Sequence, residues 1–270
     1  MYSGTTISTY SGKLLGAHQK IDRVARRHLE LLAPGAVFPS IKKILHFEGD
    51  NGPDGMKRKS PAHDEPWHFI QPFDEKDTLL TDLINDHYDH LVDALRRDDS
   101  IRAAFEAAWL AHAVVDGLTP AHHFPFEEKL AELRGGEGIE TRRSVKEKIL
   151  FPGETLREQA KNNWGFWGPK GLFTTHFAFE WGVSTLMKPL RLQAAMPTKQ
   201  DLKTFHASSI DQWFRSIAQD VAHLKLYDRF YEEGWSKPLT KAVRRQLAPT
   251  IVKTVTTVWY GALQEARKTA

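Results

Sequence analysis

Residues 104–126 read AFEAAWLAHAVVDGLTPAHHFPF, and their reading decides what kind of fold the chain makes. Up to Asp116 the run is mostly Ala, Leu and Val without glycine or proline, which predicts an apolar helix. Gly117 and Pro120 close it, since glycine favours the C-terminal edge of a helix and proline cannot continue one. His112 and Asp116 are four apart, so they stack on one helical face, one turn above the other. The turn after Gly117 brings His122 back toward that face. A His and an Asp among Ala, Leu and Val must be satisfied, because unpaired buried polar groups are costly. A shared metal ion is one way to do it.

Outward from this stretch, the helical period continues. Residues 13–32 carry an apolar stripe of Leu14, Ile21, Ala25, Leu29 and Leu32, with His18 on it. A second stripe runs through residues 78–97, where His87 and His90 read as a polar surface flank beside Asp86 and Asp89. Ser100 is the expected cap of the helix that enters the opening motif. Further helices are expected at 142–150, from Thr174 or Thr175 onward, and as two long runs at 199–233 and 240–268. No repeat, linker or composition break divides the chain. The expected architecture is therefore all-α: one multi-helix bundle over residues 1–270, enclosing a two- or three-metal site, with residues 1–12 irregular.

Two segments resist the helical pattern. Residues 34–77 are crowded with Gly, Pro, Asn and Asp, so a long functional loop is expected, with no helix or strand between 49 and 66. It carries Asp50, Asp54, His63, Asp64 and His68, along with Trp67 and Phe69 as candidate substrate contacts. Lys57-Arg58-Lys59 reads as a solvated turn, or else as an attractor for an anionic substrate. The second segment holds Trp164, Phe166 and Trp167 among glycines, an expected aromatic loop suited to walling a pocket.

Composition narrows the chemistry. The 270 residues include no cysteine, so disulfides and thiolate metal sites are excluded, and any metal must be held by His, Asp and Glu. Thirteen histidines are available for that role. A net charge of +3 is far from the dense basic surface of a dedicated nucleic-acid binder. No apolar run reaches the roughly 20 residues needed to span a bilayer. The start, MYSGTTISTYSGK, lacks a charged head followed by an apolar stretch. As written, the protein is expected to be cytoplasmic, or secreted if a leader was removed.

His176 and Glu180 repeat the four-residue spacing of His112 and Asp116. Together the candidate ligands are His18, Asp54, His68, His112, Asp116, His122, His176 and Glu180. Nitrogen and oxygen donors without thiolate suit zinc, and also manganese or iron. Neighbouring metals about 3.5–4 Å apart are the arrangement used to cleave phosphate esters.

In order and spacing these residues resemble the zinc-dependent phospholipases C and their relatives, the single-strand-specific zinc nucleases. AHAVVDGLTPAH is similar to that family's His-x3-Asp-x5-His signature, and His176-Phe-Ala-Phe-Glu180 to its downstream His-x3-Glu element. Asp54 and His68 resemble the upstream pair, and GAHQKIDRVA around His18 the first-helix histidine. The resemblance covers residues 18 to 180; the last 90 residues match only as further helices. It implies Asp54, His68, His112 and Asp116 on one zinc, and His122, His176 and Glu180 on a second. His18 with a bridging Asp116 would serve a third. It further implies Asp54 as general base or orienter of the attacking water, and hydrolysis of a phosphate ester by zinc-activated water. In the family an N-terminal Trp gives its amine and carbonyl to the third metal. Here the chain reads Met1-Tyr2, so that site is expected to be completed by another group or filled weakly. A phospholipid headgroup is the favoured substrate, with Trp67, Phe69, Trp164, Phe166 and Trp167 as contacts. A nuclease-like phosphodiesterase, with the aromatics as base-stacking platforms, and a non-catalytic protein keeping metals for structure are the alternatives.

Overall fold

The computed structural model describes residues 1–3 and 16–268, and among them every regular element is helical. In chain order the α-helices are α1 (Ala17–Leu32), α2 (Ile41–His46), α3 (Pro53–Lys59), α4 (Leu79–Arg96) and α5 (Ser100–Gly117). Next come α6 (Phe126–Leu133), α7 (Val145–Ile149), α8 (Leu156–Trp167) and α9 (Leu172–Met187). The last five are α10 (Lys199–His206), α11 (Ile210–His223), α12 (Leu226–Glu233), α13 (Lys237–Ala242) and α14 (Ala248–Lys268). No described helix is long and apolar enough to cross a membrane.

The core is built where α1, α4, α5 and α14 pack on one another. α5 is buried on nearly every face, as its Ala/Leu/Val run requires, and α4 lies along it. Polar ties fix the register of α14: Trp259 Nε1 donates to the Ala107 carbonyl at 3.0 Å, and Tyr88 hydroxyl donates to Glu265 at 3.1 Å. At the end of α5, a Cβ on Gly117 would lie 2.6 Å from the Phe214 ring and 2.7 Å from Leu80. Glycine is needed there so that α4 and α11 can close on the turn that carries His122. A smaller cluster of Leu130, Phe151 and Phe166 joins α6, α8 and the start of α9.

Several boundaries differ from the sequence expectation, each for a local reason. α5 is capped by Asp99, whose side chain accepts from the Ile101 and Arg102 amides, and not by Ser100. Within the supposed loop 34–77, α2 and α3 are helical. α3 takes Pro53 in its first turn, an acid there in Asp54 and three bases in its last turn, which matches the helix dipole. The density of glycine and proline masked those signals. Trp164, Phe166 and Trp167 lie in α8 and not in a loop. Gly165 is there because a Cβ would come 2.8 Å from Leu133 of α6. α9 starts at Leu172, ahead of Thr174. The expected helix 199–233 is three helices, broken by the Ser209 cap and by Lys225 at a left-handed φ of 48°. The last helical run begins earlier than 240, with α13, and passes through a π-helical turn, Val243–Leu247. At the other end, Met1, Tyr2 and Ser3 are buried; residues 4–12 of the expected irregular start lie outside the described residues.

Candidate metal centre

Asp116, at the end of α5, stands at the middle of a buried cluster. Its Oδ1 lies 2.5 Å from the Met1 nitrogen, 3.3 Å from His18 Nε2 and 3.7 Å from His122 Nδ1. Its Oδ2 lies 3.3 Å from His112 Nε2 and 3.7 Å from Lys57 Nζ. Each carboxylate oxygen thus faces a different set of donors. Beside it, Glu180 Oε1 is 3.2 Å from the Met1 nitrogen, 2.9 Å from His122 Nε2 and 3.1 Å from His176 Nε2. The Met1 carbonyl oxygen is 2.7 Å from His18 Nε2. Asp54 Oδ1 sits 3.0 Å from Lys57 Nζ and 3.7 Å from His112 Nε2. His68 gives its Nδ1 side to the Pro66 carbonyl at 3.2 Å, and its ring lies 5.1 Å from that of His122.

Local sequence explains the convergence. The four-residue spacing stacks His112 under Asp116 on α5, and His176 under Glu180 on α9. The turn Pro120–His123 folds His122 back between the two helices, held by the His122 amide donating to the Thr119 carbonyl at 2.8 Å. His123, next along, bonds the carbonyl of Gly117 at 2.8 Å and locks the end of α5. The imidazoles stack in pairs, His18 on His112 at 4.0 Å and His122 on His176 at 5.1 Å.

Two trios place their ligand atoms within 4.8 Å of one another: His122, His176 and Glu180, and His18, Glu48 and His112. Glu48 was not singled out in the sequence, since no spacing links it to His112 sixty-four residues away. Its Oε1 accepts from His112 Nδ1 at 2.9 Å. The opposite nitrogens, Nε2 of His112 and His18, face Asp116, so Glu48 reads as the carboxylate that fixes the His112 ring. Asp22, one turn beyond His18, lies buried behind Glu48; burial and the Glu48 charge push its carboxyl well above the usual range.

The donor set fits a metal on a direct observation. Around Asp116, His112 Nε2, Asp116 Oδ2 and His122 Nδ1 are buried without a hydrogen-bond partner among the described residues. That many orphaned nitrogens and oxygens in one place is costly unless a cation completes them. The groups of the cluster are strongly coupled electrostatically. Burial would raise the carboxyl of Asp116, but Met1, His122, His112 and Lys57 outweigh it and hold it well below the usual range. Burial would likewise raise Glu180, and Met1 and His176 reverse that. Burial would lower His112, yet Glu48, Asp116 and Asp54 raise it to about 10. Burial dominates at His122, which falls to about 4, and at His68, which Lys57 lowers further; both are neutral and fit to donate a lone pair.

Lys57 is not the solvated turn residue its neighbours suggested. One helical turn after Asp54, it is mostly buried and sets its ammonium between Asp54 and Asp116. Arg58 and Lys59 do reach outward, both pairing with Asp50. His87, read as a surface flank, instead packs its Nδ1 2.6 Å from the buried Glu106, while His90 is exposed.

Asp54, His68, His122, His176 and Glu180 of the cluster line the floor of a cleft of about 470 Å³. Phe69, Phe126, Phe166, Trp167, Phe173 and Phe177 wall it, with His68, His122, His176 and Glu180 beneath. Of the aromatics singled out in the sequence, Phe69, Phe166 and Trp167 face this cleft. Trp67 lies behind it, beside Trp109 and His112. Trp164 is on the outer surface, 68% exposed, because the helical register of α8 turns it away from Phe166.

Fold and site together define an all-helical protein with a buried imidazole–carboxylate centre of two clusters able to hold metal ions. Compared with family models, with curated proteins and with solved structures, the chain matches none.

Proposed function

We propose that this protein is a zinc-dependent phosphoric ester hydrolase of the phospholipase C kind. The observation that carries the reading is the meeting of His18, Asp54, His68, His112, Asp116, His122, His176 and Glu180 beneath one aromatic cleft. Asp54, His68, His112 and Asp116 would hold one ion, and His122, His176 and Glu180 a second. His18 with a bridging Asp116 would serve a third, beside the Met1 carbonyl that lies 2.7 Å from His18 Nε2. Zinc ions there supply Lewis-acid chemistry, neutralising phosphoryl charge and acidifying a water toward neutral pH.

The chain's own groups do the rest. Asp116 presents its two oxygens to two sets of ligands and keeps the sites in register. Glu48 holds the His112 ring, and the Pro66 carbonyl holds that of His68. Asp54 lines the cleft with Lys57 3.0 Å from Oδ1, so its carboxylate is the group to orient a water or accept its proton. Lys57 lends a positive charge to an anionic phosphoryl group. The aromatic walls exclude water and accept an apolar substituent, which favours a phospholipid over a nucleic acid; Trp67 and Trp164, outside the cleft, offer no base-stacking platform within it.

The test is turnover of phosphatidylcholine, single-stranded DNA and a chromogenic phosphodiester by zinc-loaded protein. Hydrolysis of the lipid is expected, and abolished in Asp54→Asn with most of the metal retained. Preference for DNA would favour the nuclease reading, and inertness toward all three a structural role for the metals.

A further inference from the structure

The helix α8 carries an exposed face that meets the cleft only at Trp167. Leu156, Ala160, Trp164 and Trp167 fall at i, i+4, i+8 and i+11, one stripe along its outer side. Leu156 is 85% exposed, Trp164 68% and Trp167 44%. This is not a core stripe turned outward. Off the stripe, Phe166 is buried against Phe151, their rings 4.5 Å apart, and Asn163 at the stripe's edge bonds both the amide and the carbonyl of Phe151. α7 adds exposed Val145 and Ile149, followed by Leu150, and Trp167 Nε1 donates to the Ile149 carbonyl at 2.8 Å. Val145, Ile149 and Trp167 also line the cleft. The exposed apolar face therefore runs up to the mouth of the site.

Charge says what covers it. Residues 142–170 hold seven Lys and Arg against three Glu; Arg142 and Lys148 pair with Glu127 and Glu65, and the five that stay exposed, Arg143, Lys146, Arg157, Lys161 and Lys170, still outnumber the three exposed Glu. Arg157 and Lys161 flank the Trp stripe, and Arg143 and Lys146 flank α7; all four are exposed, and none is in an ion pair among the described residues. Glu158 falls on the other side of α8 from the stripe. An exposed helix with Trp and Leu on one face, basic residues beside them and acids turned away is the pattern that lies in an anionic lipid interface.

We propose that the outer face of α8, with α7, docks the protein on an anionic phospholipid surface and so presents the cleft mouth to the bilayer. The inference deepens the phospholipase reading and rests on it for purpose, but the docking does not need metal or turnover.

Co-sedimentation of chelator-stripped protein with phosphatidylcholine vesicles, with and without phosphatidylglycerol, tests it. Binding is expected with phosphatidylglycerol, weakening in salt near 1 M, where screening shortens to about 3 Å. The triple variant Leu156→Ser, Arg157→Glu, Lys161→Glu changes only exposed side chains and should keep its helical circular dichroism. It should lose vesicle affinity at least about tenfold, while zinc-loaded turnover of a soluble chromogenic ester is unchanged. No vesicle binding, binding equal in the variant, or a dimer that the variant abolishes would overturn the docking surface. Vesicle binding without turnover of any ester would leave the surface standing and remove the phospholipase reading instead.

Discussion

The nitrogen of Met1 and the carboxylate of Asp116 lie 2.5 Å apart, both fully buried, across 115 residues of chain. The pairing ties the first residue to the end of α5 and the centre of the cluster. Burial would lower the Met1 amine, but Asp116, Glu180 and Asp54 together raise it. Asp116→Asn would leave the Met1, His112 and Lys57 charges without their shared counter-ion. Removing one partner of a buried pair costs about 3–5 kcal/mol, so metal-stripped Asp116→Asn should show a urea midpoint lowered to match. Its zinc content should fall by more than one ion per chain. His18→Ala should lose only the ion assigned to His18 and Asp116.

Lys57 and a divalent ion make the same demand on Asp54 and Asp116. Lys57→Met removes the resident ammonium without removing a ligand, so affinity for the first metal should rise, roughly tenfold for about 1.4 kcal/mol of relieved competition. Titration against a chromophoric chelator measures it. Turnover should fall in the same variant, since the phosphoryl group loses a cation.

In the proposed site Glu48 would act on an ion through His112, whose Nδ1 it accepts from at 2.9 Å. Glu48→Gln keeps the size of the side chain but replaces the carboxylate behind the His112 ring, and zinc affinity should drop about 10–100-fold. An unchanged affinity would mean that the His112 orientation is set by its stacking on His18 and not by Glu48.

Acid and alkali should each destabilise the metal-stripped protein, through different groups. His122 and His123 are held at about 4 by burial, below the ordinary 6.5. Their unfolded forms take up protons first, so their contribution is complete above pH 6.5 and is lost as pH falls toward 4. His112 works oppositely. Raised to about 10, it contributes fully below pH 6.5 and loses that contribution as pH rises through 10. Urea midpoints measured from pH 4 to 10 should therefore peak near neutrality. His123→Phe, which removes a histidine that is not a ligand, should flatten the acid limb alone.

The helical class and much of the cluster could be read before any coordinates. The four-residue spacings at His112 and Asp116, and at His176 and Glu180, are properties of one helix each, and the Gly117–Pro120 turn announces itself. What escaped depends on the tertiary fold or on weak local signals. Glu48 reaches His112 through packing of α5 beside α2 and its following turn, with no spacing to betray it. Met1 enters the site by the path of the chain. Lys57 looked solvated because α3 was hidden among glycines and prolines, although its three-residue offset from Asp54 is the signal that a helix there would have used. The α8 aromatics were misread for the same reason: Gly165 reads as a loop signal until Leu133 is seen against it.

The central claim, that these side chains hold zinc, is tested most directly by mass spectrometry of the intact native protein purified with zinc and without chelator. Two or three zinc ions per chain are expected, falling to one or none in His122→Ala combined with His112→Ala. A native chain that carries no zinc would contradict the account.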